Sequence, residues 1–304
     1  MTDHPARTAR LGQNQYGKAE TRVVRITREG ELHHIKDLNV SVSLSGDMDD
    51  VHYSGSNANV LPTDTTKNTV YAFAKEHGIA SPEEFGLLLA RHFVGSQEPI
   101  RRARIRIEEY AWERIGGPDA QHSFARTGGG TRVTQVVHDG ERCEVVSGLK
   151  DLTVLNTTDS EFWGYRKDRY TTLPEAYDRI LATDVSARWR YAWTGADGAT
   201  APDWDLCYQE SRRHLLDAFA QTYSLSLQQT LYRMGARVVE SRPEIEEIRL
   251  SLPNKHHFLV DLEPFGLEND NEVYVAADRP YGLIEATVLR DGAQALIPAD
   301  LTHL

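Results

Sequence analysis

The sequence predicts an α+β fold in which an antiparallel sheet carries its helices on one face, and three observations lead there. Segments with the two-residue period of strands flank paired segments with the 3.6-residue period of helices. The order strands, helices, strands occurs twice along the 304 residues. Several strand segments alternate apolar and polar residues, as strands with one face buried and one face wet must.

The first half supplies the clearest elements. Glu20 to Thr27 and Asn39 to Leu44 alternate, with Val40, Val42 and Leu44 on one face, and a turn is expected near Gly30. Val70, Phe73, Ala74 and His77 fall at helical spacing before Gly78, a C-terminal stop. Ser81-Pro82-Glu83-Glu84 then offers an N-cap, a proline at the first helical position and a glutamate at the third, ahead of Phe85, Leu88, Leu89, His92 and Phe93. After Pro99 the period returns to two in Ala103 to Trp112. Thr131 to Val137 pairs with Glu141 to Val146 across Asp139-Gly140, a favoured hairpin dipeptide.

The second half repeats this order. Leu152 to Leu155 and Ala187 to Trp193 read as extended. Leu215, Ala218 and Phe219, then Leu227, Leu231 and Met234, read as helical, and Ile248 to Leu252 and Phe258 to Leu262 as extended again. Gly195 to Asp205 reads as a surface loop. Two echoes support a repeat: Pro62-Thr63-Asp64 against Ala182-Thr183-Asp184, and Pro99 to Ile107 against Pro243 to Leu252, where each leads a helix into an alternating strand. The expected halves are 1–147 and 148–304.

Composition bounds the function. An apolar content of 40% is that of a folded globular protein. Thirty-four Lys and Arg against 45 Asp and Glu leave a formal charge of −11, which argues against nucleic acid or an anionic membrane as a general partner and requires a local basic site for any anionic substrate. The two cysteines, Cys143 and Cys207, form no disulfide framework and point to a reducing compartment. Met1 to Asn14 has no apolar core, no stretch approaches 18 apolar residues, and Thr302-His303-Leu304 lacks the Ser-Lys of a peroxisomal address, so the cytoplasm is expected.

Familiar catalytic devices are missing. Gly128-Gly129-Gly130-Thr131 lacks the lysine and spacing of a phosphate loop, and no dinucleotide fingerprint occurs. The pairs His33-His34 and His256-His257 point to opposite faces of a strand, so neither readily holds one metal, and no metal site is expected. The remaining polar residues each have an ordinary reading. Lys18 is a surface lysine, Thr63-Asp64 caps a helix starting near Thr65, Phe162 and Trp163 are core, and Arg179 snorkels. Gln228 is exposed in a first helical turn, and Asn254-Lys255-His256 after Pro253 is a turn between two strands.

Taken together, segments spanning nearly the whole chain resemble the urate oxidase family. They run from Tyr16-Gly17-Lys18 through Thr63-Asp64-Thr65-Thr66-Lys67-Asn68-Thr69 and the stretch Leu152 to Tyr165, continuing with Tyr170, Leu173 and Arg179. Ser251-Leu252-Pro253-Asn254-Lys255-His256-His257-Phe258 and Pro280-Tyr281-Gly282-Leu283-Ile284 complete the match. One departure is Asn156, where the family pattern usually has lysine; it touches local strand contacts rather than chemistry. The resemblance implies tandem tunnelling-fold repeats, with helices on the outer face of the sheet. Two chains would close a barrel and two barrels stack into a homotetramer with sites at subunit boundaries, which also removes exposed sheet edges.

It implies a site as well. Phe162 stacks on the urate ring, Arg179 offers a planar fork to its anionic edge, and Gln228 pairs with the opposite edge. Thr63, Asp64 and Leu227 add contacts, partly through backbone N–H groups. Lys18, Thr63 and His256 match the proton relay, and Asn254, with Thr63, holds oxygen and then water above the ring. No cofactor is implied: the dianion of urate is itself the electron donor, so the enzyme needs a base beside the ring, and a relay lysine needs a pKa depressed by partial burial. A cyclohydrolase or aldolase of the same superfamily would need a buried glutamate on the purine or a Cys/His zinc site. A non-catalytic purine binder would not need Lys18, Thr63, Asn254 and His256.

Overall fold

The structure, a computed structural model, describes residues 9–117, 120–196 and 198–299. The residues before Ala9 and the C-terminal Thr302-His303-Leu304, read above for targeting signals, lie outside the described residues. Among the described residues no helix is long and apolar enough to cross a membrane.

The chain divides into two compact units, each built on four long strands and two long helices. The first unit comprises 1–126, 133–145 and 193–201, the second 127–132, 146–192 and 202–304. In the first, β1 (Tyr16–Glu29), β2 (Leu32–Gly46), β3 (Ile100–Glu109) and β6 (Thr131–His138) lie in the order β1-β2-β3-β6. Between β2 and β3 run a short α1 (Asp49–Tyr53), α2 (Thr63–Glu76) and α3 (Pro82–Ser96). A small separate sheet pairs β4 (Trp112–Arg114) with β5 (Phe124–Arg126), two strands too short to show a period in the sequence.

Alternation in the sequence becomes a two-faced sheet. Leu38, Val40, Val42 and Leu44 of β2 and Ala103, Ile105 and Ile107 of β3 are buried, as are Val70 and Ala74 of α2, which packs on β1, and Phe85, Leu89 and Phe93 of α3, which packs on β3. Truncating Phe85 or Phe93 to alanine would remove about 3–5 kcal/mol of stability. Gly86 lets α3 lie close on the sheet, since a Cβ there would sit 2.9 Å from Val136. The capping reading of α3 holds: the Ser81 hydroxyl accepts from the Glu84 N–H at 3.1 Å, with Pro82 in the first turn.

The second unit repeats the plan. Here β7 (Cys143–Asn156, within this unit from Val146), β8 (Leu181–Tyr191), β9 (Ile245–Leu259) and β10 (Tyr274–Leu289) lie in the order β7-β8-β9-β10, with α4 (Trp204–Gln221) and α5 (Leu227–Ser241) between β8 and β9. Trp189, Tyr191, Ile248, Leu250 and Leu252 form the core under Leu215, Phe219, Leu231 and Met234. Gly235 seats α5 as Gly86 seats α3, its missing Cβ lying 2.7 Å from Val288.

The duplication reaches fine detail. The first strand of each unit carries a bulge, between Lys18 and Thr21 in β1 and between Leu149 and Leu152 in β7, and each bulge holds an acidic residue at positive φ, Glu20 at 55° and Asp151 at 60°. The helix-to-strand turns also match: Ile100 N–H donates to the Gln97 carbonyl at 2.9 Å, and Ile245 N–H to the Arg242 carbonyl at 3.0 Å. The echo at Pro99 and Pro243 therefore marks equivalent positions. The other echo does not, because Thr63-Asp64 opens α2 whereas Thr183-Asp184 lies inside β8.

Other expectations are corrected. Ile248–Leu252 and Phe258–Leu262 are not two strands around a turn: β9 runs unbroken from Ile245 to Leu259, and Asn254 pairs with Thr183 on one side and Gly282 on the other. Pro253 and Asn254 look like turn residues locally, but pairing on both edges holds them extended. The loop after Gly195 ends before Asp205, since the Asp203 side chain caps α4 by accepting from the Leu206 N–H at 3.0 Å. Asn156, the departure from the family pattern, donates to the Phe219 carbonyl at 3.1 Å.

Candidate active site

A cavity of about 310 Å³ opens in the second unit, at the lower end of the size range of small-molecule sites. Its walls include Phe162, Arg179, Leu227, Gln228, Asn254 and His256. Three structural devices bring these residues together. The stretch 157–180 folds back on itself, with Phe162 and Ala176 exchanging backbone hydrogen bonds of 2.7 and 3.0 Å, and this sets Phe162 near Arg179. The first turn of α5 supplies Leu227 and Gln228, fixed by the Ser226 hydroxyl, which accepts from the Gln229 N–H at 3.2 Å. The continuous β9 supplies Asn254 and His256 two residues apart, on one face.

The chemistry of the walls is uneven. Phe162, Leu227 and Ile284 are apolar. Arg179 donates its Nε–H to the Ser160 hydroxyl at 3.2 Å, and its guanidinium carbon stands 5.2 Å from the centre of the Phe162 ring. Its two terminal nitrogens have no partner among the described residues, and burial pushes its pKa down. The side chains of Gln228, Asn254 and His256 likewise have no hydrogen-bond partner among the described residues. Burial, then the Arg179 charge and then His257 lower the pKa of His256, which favours the neutral imidazole.

Lys18, Thr63 and Asp64 belong to the first unit, and there they are neighbours. Lys18 sits on β1 at the edge of the bulge, opposite Val42. The Tyr16 hydroxyl accepts from the Leu61 N–H at 2.9 Å, tying the start of β1 to the segment that enters α2. Asp64 is held below the usual carboxylate range by its hydrogen bond and ion pair with Lys67, with smaller contributions from Asn68 and from the charge of Lys18. The Thr63 hydroxyl has no partner among the described residues. Thr63-Asp64 does not cap α2 as composition suggested: Pro62 occupies the cap and no side chain bonds there, so Thr63 is the first helical residue.

Two further ordinary readings fail. Trp163 is 52% exposed rather than core, and its Nε1–H reaches Glu161, while Phe162 is half-buried at the cavity wall. Arg179 is half-buried rather than snorkelling outward. Gln228 is exposed, as expected of its helical turn. The cavity also uses Leu173, Ile180, His257 and Phe258, to which no role was given from sequence. Leu173, His257 and Phe258 lie in segments that carry the family resemblance, whereas Ile180 is signalled only by following Arg179.

The sequence pattern of the uricase family matches residues 14–137 and 145–285. The chain belongs to the uricase family. A uricase from Arthrobacter globiformis is 52% identical over 285 residues, spanning 94% of this chain and 91% of that protein. The crystal structure of uricase from Arthrobacter globiformis superposes with a TM-score of 0.90 at 51% identity, covering 96% of this chain and 99% of the other. A uricase from Bacillus fastidious, at 22% identity, shares the fold with a TM-score of 0.78 over 92% of this chain and 94% of its own. The tandem α+β architecture of this family member is thus that of solved uricases.

Proposed function

We propose that the chain oxidises urate with O2 and water to 5-hydroxyisourate and hydrogen peroxide, without a cofactor, in a cavity completed by a second copy of itself. The reading rests above all on one observation. A cavity of purine size has one aromatic wall and four polar side chains, Arg179, Gln228, Asn254 and His256, left without protein partners. Arg179, Asn254 and His256 are half-buried, and polar groups kept unpaired there carry a desolvation penalty that a bound ligand relieves, while the exposed Gln228 adds a hydrogen-bonding edge without that penalty.

Urate is planar, anionic and rich in hydrogen-bonding edges. Phe162 stacks on its face, the Arg179 fork takes the anionic edge in bidentate fashion, and the Gln228 amide reads the opposite edge. The first-turn N–H groups of α5 at Leu227, and of α2 at Thr63, add dipoles that favour negative charge, with Asp64 beside them. Direct reaction of singlet urate with triplet oxygen is spin-forbidden, so the substrate must give up electrons singly. Removal of a second proton makes urate a dianion and a far better donor. The Thr63 hydroxyl passes that proton between Lys18 and the neutral His256, and Asn254 with Thr63 holds oxygen above the ring. Radical recombination gives a hydroperoxide, and water then replaces the departing peroxide, so urate, O2 and H2O balance the two products.

Lys18, Thr63 and Asp64 reach this cavity from a partner chain in a homotetramer, and the compartment is the cytoplasm. The test is turnover of chelator-treated, purified protein in aerated urate, followed by loss of the ultraviolet absorbance of urate and by peroxide yield. Full activity without flavin absorbance is expected; activity restored only by added metal would sink the cofactor-free reading. For the relay, Lys18→Met and Thr63→Ala should each lower kcat by roughly 10²-fold or more, and the double variant should be little worse than either.

A further inference from the structure

In a chain of net charge −11, the face of the first sheet turned away from its helices carries a row of arginines. Arg102, Arg104 and Arg106 alternate along β3 with the buried Ala103, Ile105 and Ile107, so they share that opposite face. Across from them on β2 stand three serines in register: Ser45 opposite Arg102, Ser43 opposite Arg104, Ser41 opposite Arg106. Neighbouring arginines of the row lie about 7 Å apart along the strand, two residues at the usual rise.

Glu108, next along β3 on this face, accepts from the Tyr110 hydroxyl at 3.0 Å. Among the described residues none of the three arginines has an ion-pair partner, and the one hydrogen bond is a long contact of 3.4 Å from Arg104 to the Ser43 hydroxyl. The Nε of Arg104 is buried without any acceptor. Burial, then the charges of Arg106 and Arg102, push the Arg104 pKa down, the sign of a guanidinium short of negative charge. By contrast, Arg22 of the same unit pairs with Asp37 and Arg101 with Asp47.

We propose that the ladder of Arg102, Arg104 and Arg106 with Ser41, Ser43 and Ser45 is an anion site, separate from the urate cavity, for a small tetrahedral oxyanion of the phosphate class. Two guanidinia carried by residues about 7 Å apart along the strand flank such an ion from both sides, each offering a fork of N–H donors. Between them the serine hydroxyls add donors. Ser41 is already an acceptor from the Glu20 N–H at 3.0 Å and Ser43 from Arg104, so the hydroxyl hydrogens of both remain free to turn toward an anion. The spacing also suits repetition, with one ion in each gap of the row.

The experiment is calorimetric titration of the intact protein with inorganic phosphate at constant ionic strength in chloride, with and without saturating urate under anaerobic conditions. Phosphate should bind equally well in both arms, Arg104→Gln with Arg106→Gln should weaken it at least tenfold, and Arg179→Ala should leave it unchanged. Urate turnover in phosphate-free buffer should survive the double variant. Should that variant misfold, the exposed Arg102→Gln alone should still weaken phosphate severalfold. Absence of millimolar binding, unchanged affinity in the variants, or displacement of phosphate by urate would overturn the proposal. So would a change in assembly mass of the double variant without any phosphate effect, which would mean that carboxylates of another copy occupy the row.

Discussion

Arg179 combines two properties that usually exclude each other: it is desolvated enough to lower its pKa, yet its terminal nitrogens have no partner. Its counter-charge must therefore arrive with the ligand. Arg179→Ala should weaken urate and competitive purine inhibitors together, by about 2–5 kcal/mol for a desolvated charge partner. Unchanged inhibitor affinity in equilibrium binding would remove Arg179 from the binding set. His256 gives a pH prediction of definite sign. Its folded pKa lies below the unfolded value of about 6.5, so the unfolded chain binds the additional proton more readily. Its contribution is therefore neutral above the ordinary histidine range, and stability is lost as pH falls through that range toward the folded value. Denaturation midpoints measured between neutral and mildly acid pH should drop, and His256→Gln should make the drop shallower without abolishing it, because burial also lowers His92 and His214. An acid slope identical in the variant would refute the assignment.

At the scale of elements, the cap of α5 matters to the cavity as well as to the helix. Ser226 accepts from Gln229 N–H and so fixes the turn that presents Leu227 and Gln228. Ser226→Ala should cost about 1 kcal/mol of stability and raise KM for urate more than it lowers kcat. A loss of stability with KM untouched would show that the turn holds without its cap. What was readable in the sequence follows the same local logic. The first turn of α3 was legible because Ser81-Pro82-Glu83-Glu84 states its cap, and the hairpin at Asp139-Gly140 because that dipeptide suits few other conformations. The continuity of β9 through Pro253 and Asn254 was not, because β8 and β10 supply the hydrogen bonds that override a local turn signal. The bulges at Glu20 and Asp151 were hidden for a related reason: positive φ without glycine is imposed by pairing. Of the cavity, residue types alone revealed nothing. Phe162, Arg179 and Asn254 became legible through the family resemblance, while Ile180 needed the fold itself.

At the scale of the whole molecule, the proposed site draws Lys18 and Thr63 from one chain and Phe162, Arg179, Gln228 and His256 from another. Two inactive variants, Thr63→Ala and Arg179→Ala, should then complement when refolded together, since a mixed dimer holds one site with both defects and one with neither. Random pairing makes about half the dimers mixed, so on the order of one quarter of the unsubstituted protein's activity should return. If mass spectrometry shows mixed assemblies and the mixture stays as inactive as each variant alone, the shared site is wrong. The twin bulges add a consequence about descent. A kink at the same place in two segments that share so few residues is the mark of one ancestral segment copied end to end. In the position just before the kink, one copy keeps Lys18 and the other has Leu149. An ancestor made of identical segments would have placed the same residue on every wall, whereas urate, the proposed substrate, has no symmetry to match it. On the proposed reading, joining the copies in one chain freed each to specialise, one keeping Lys18 and the other Phe162 and Arg179.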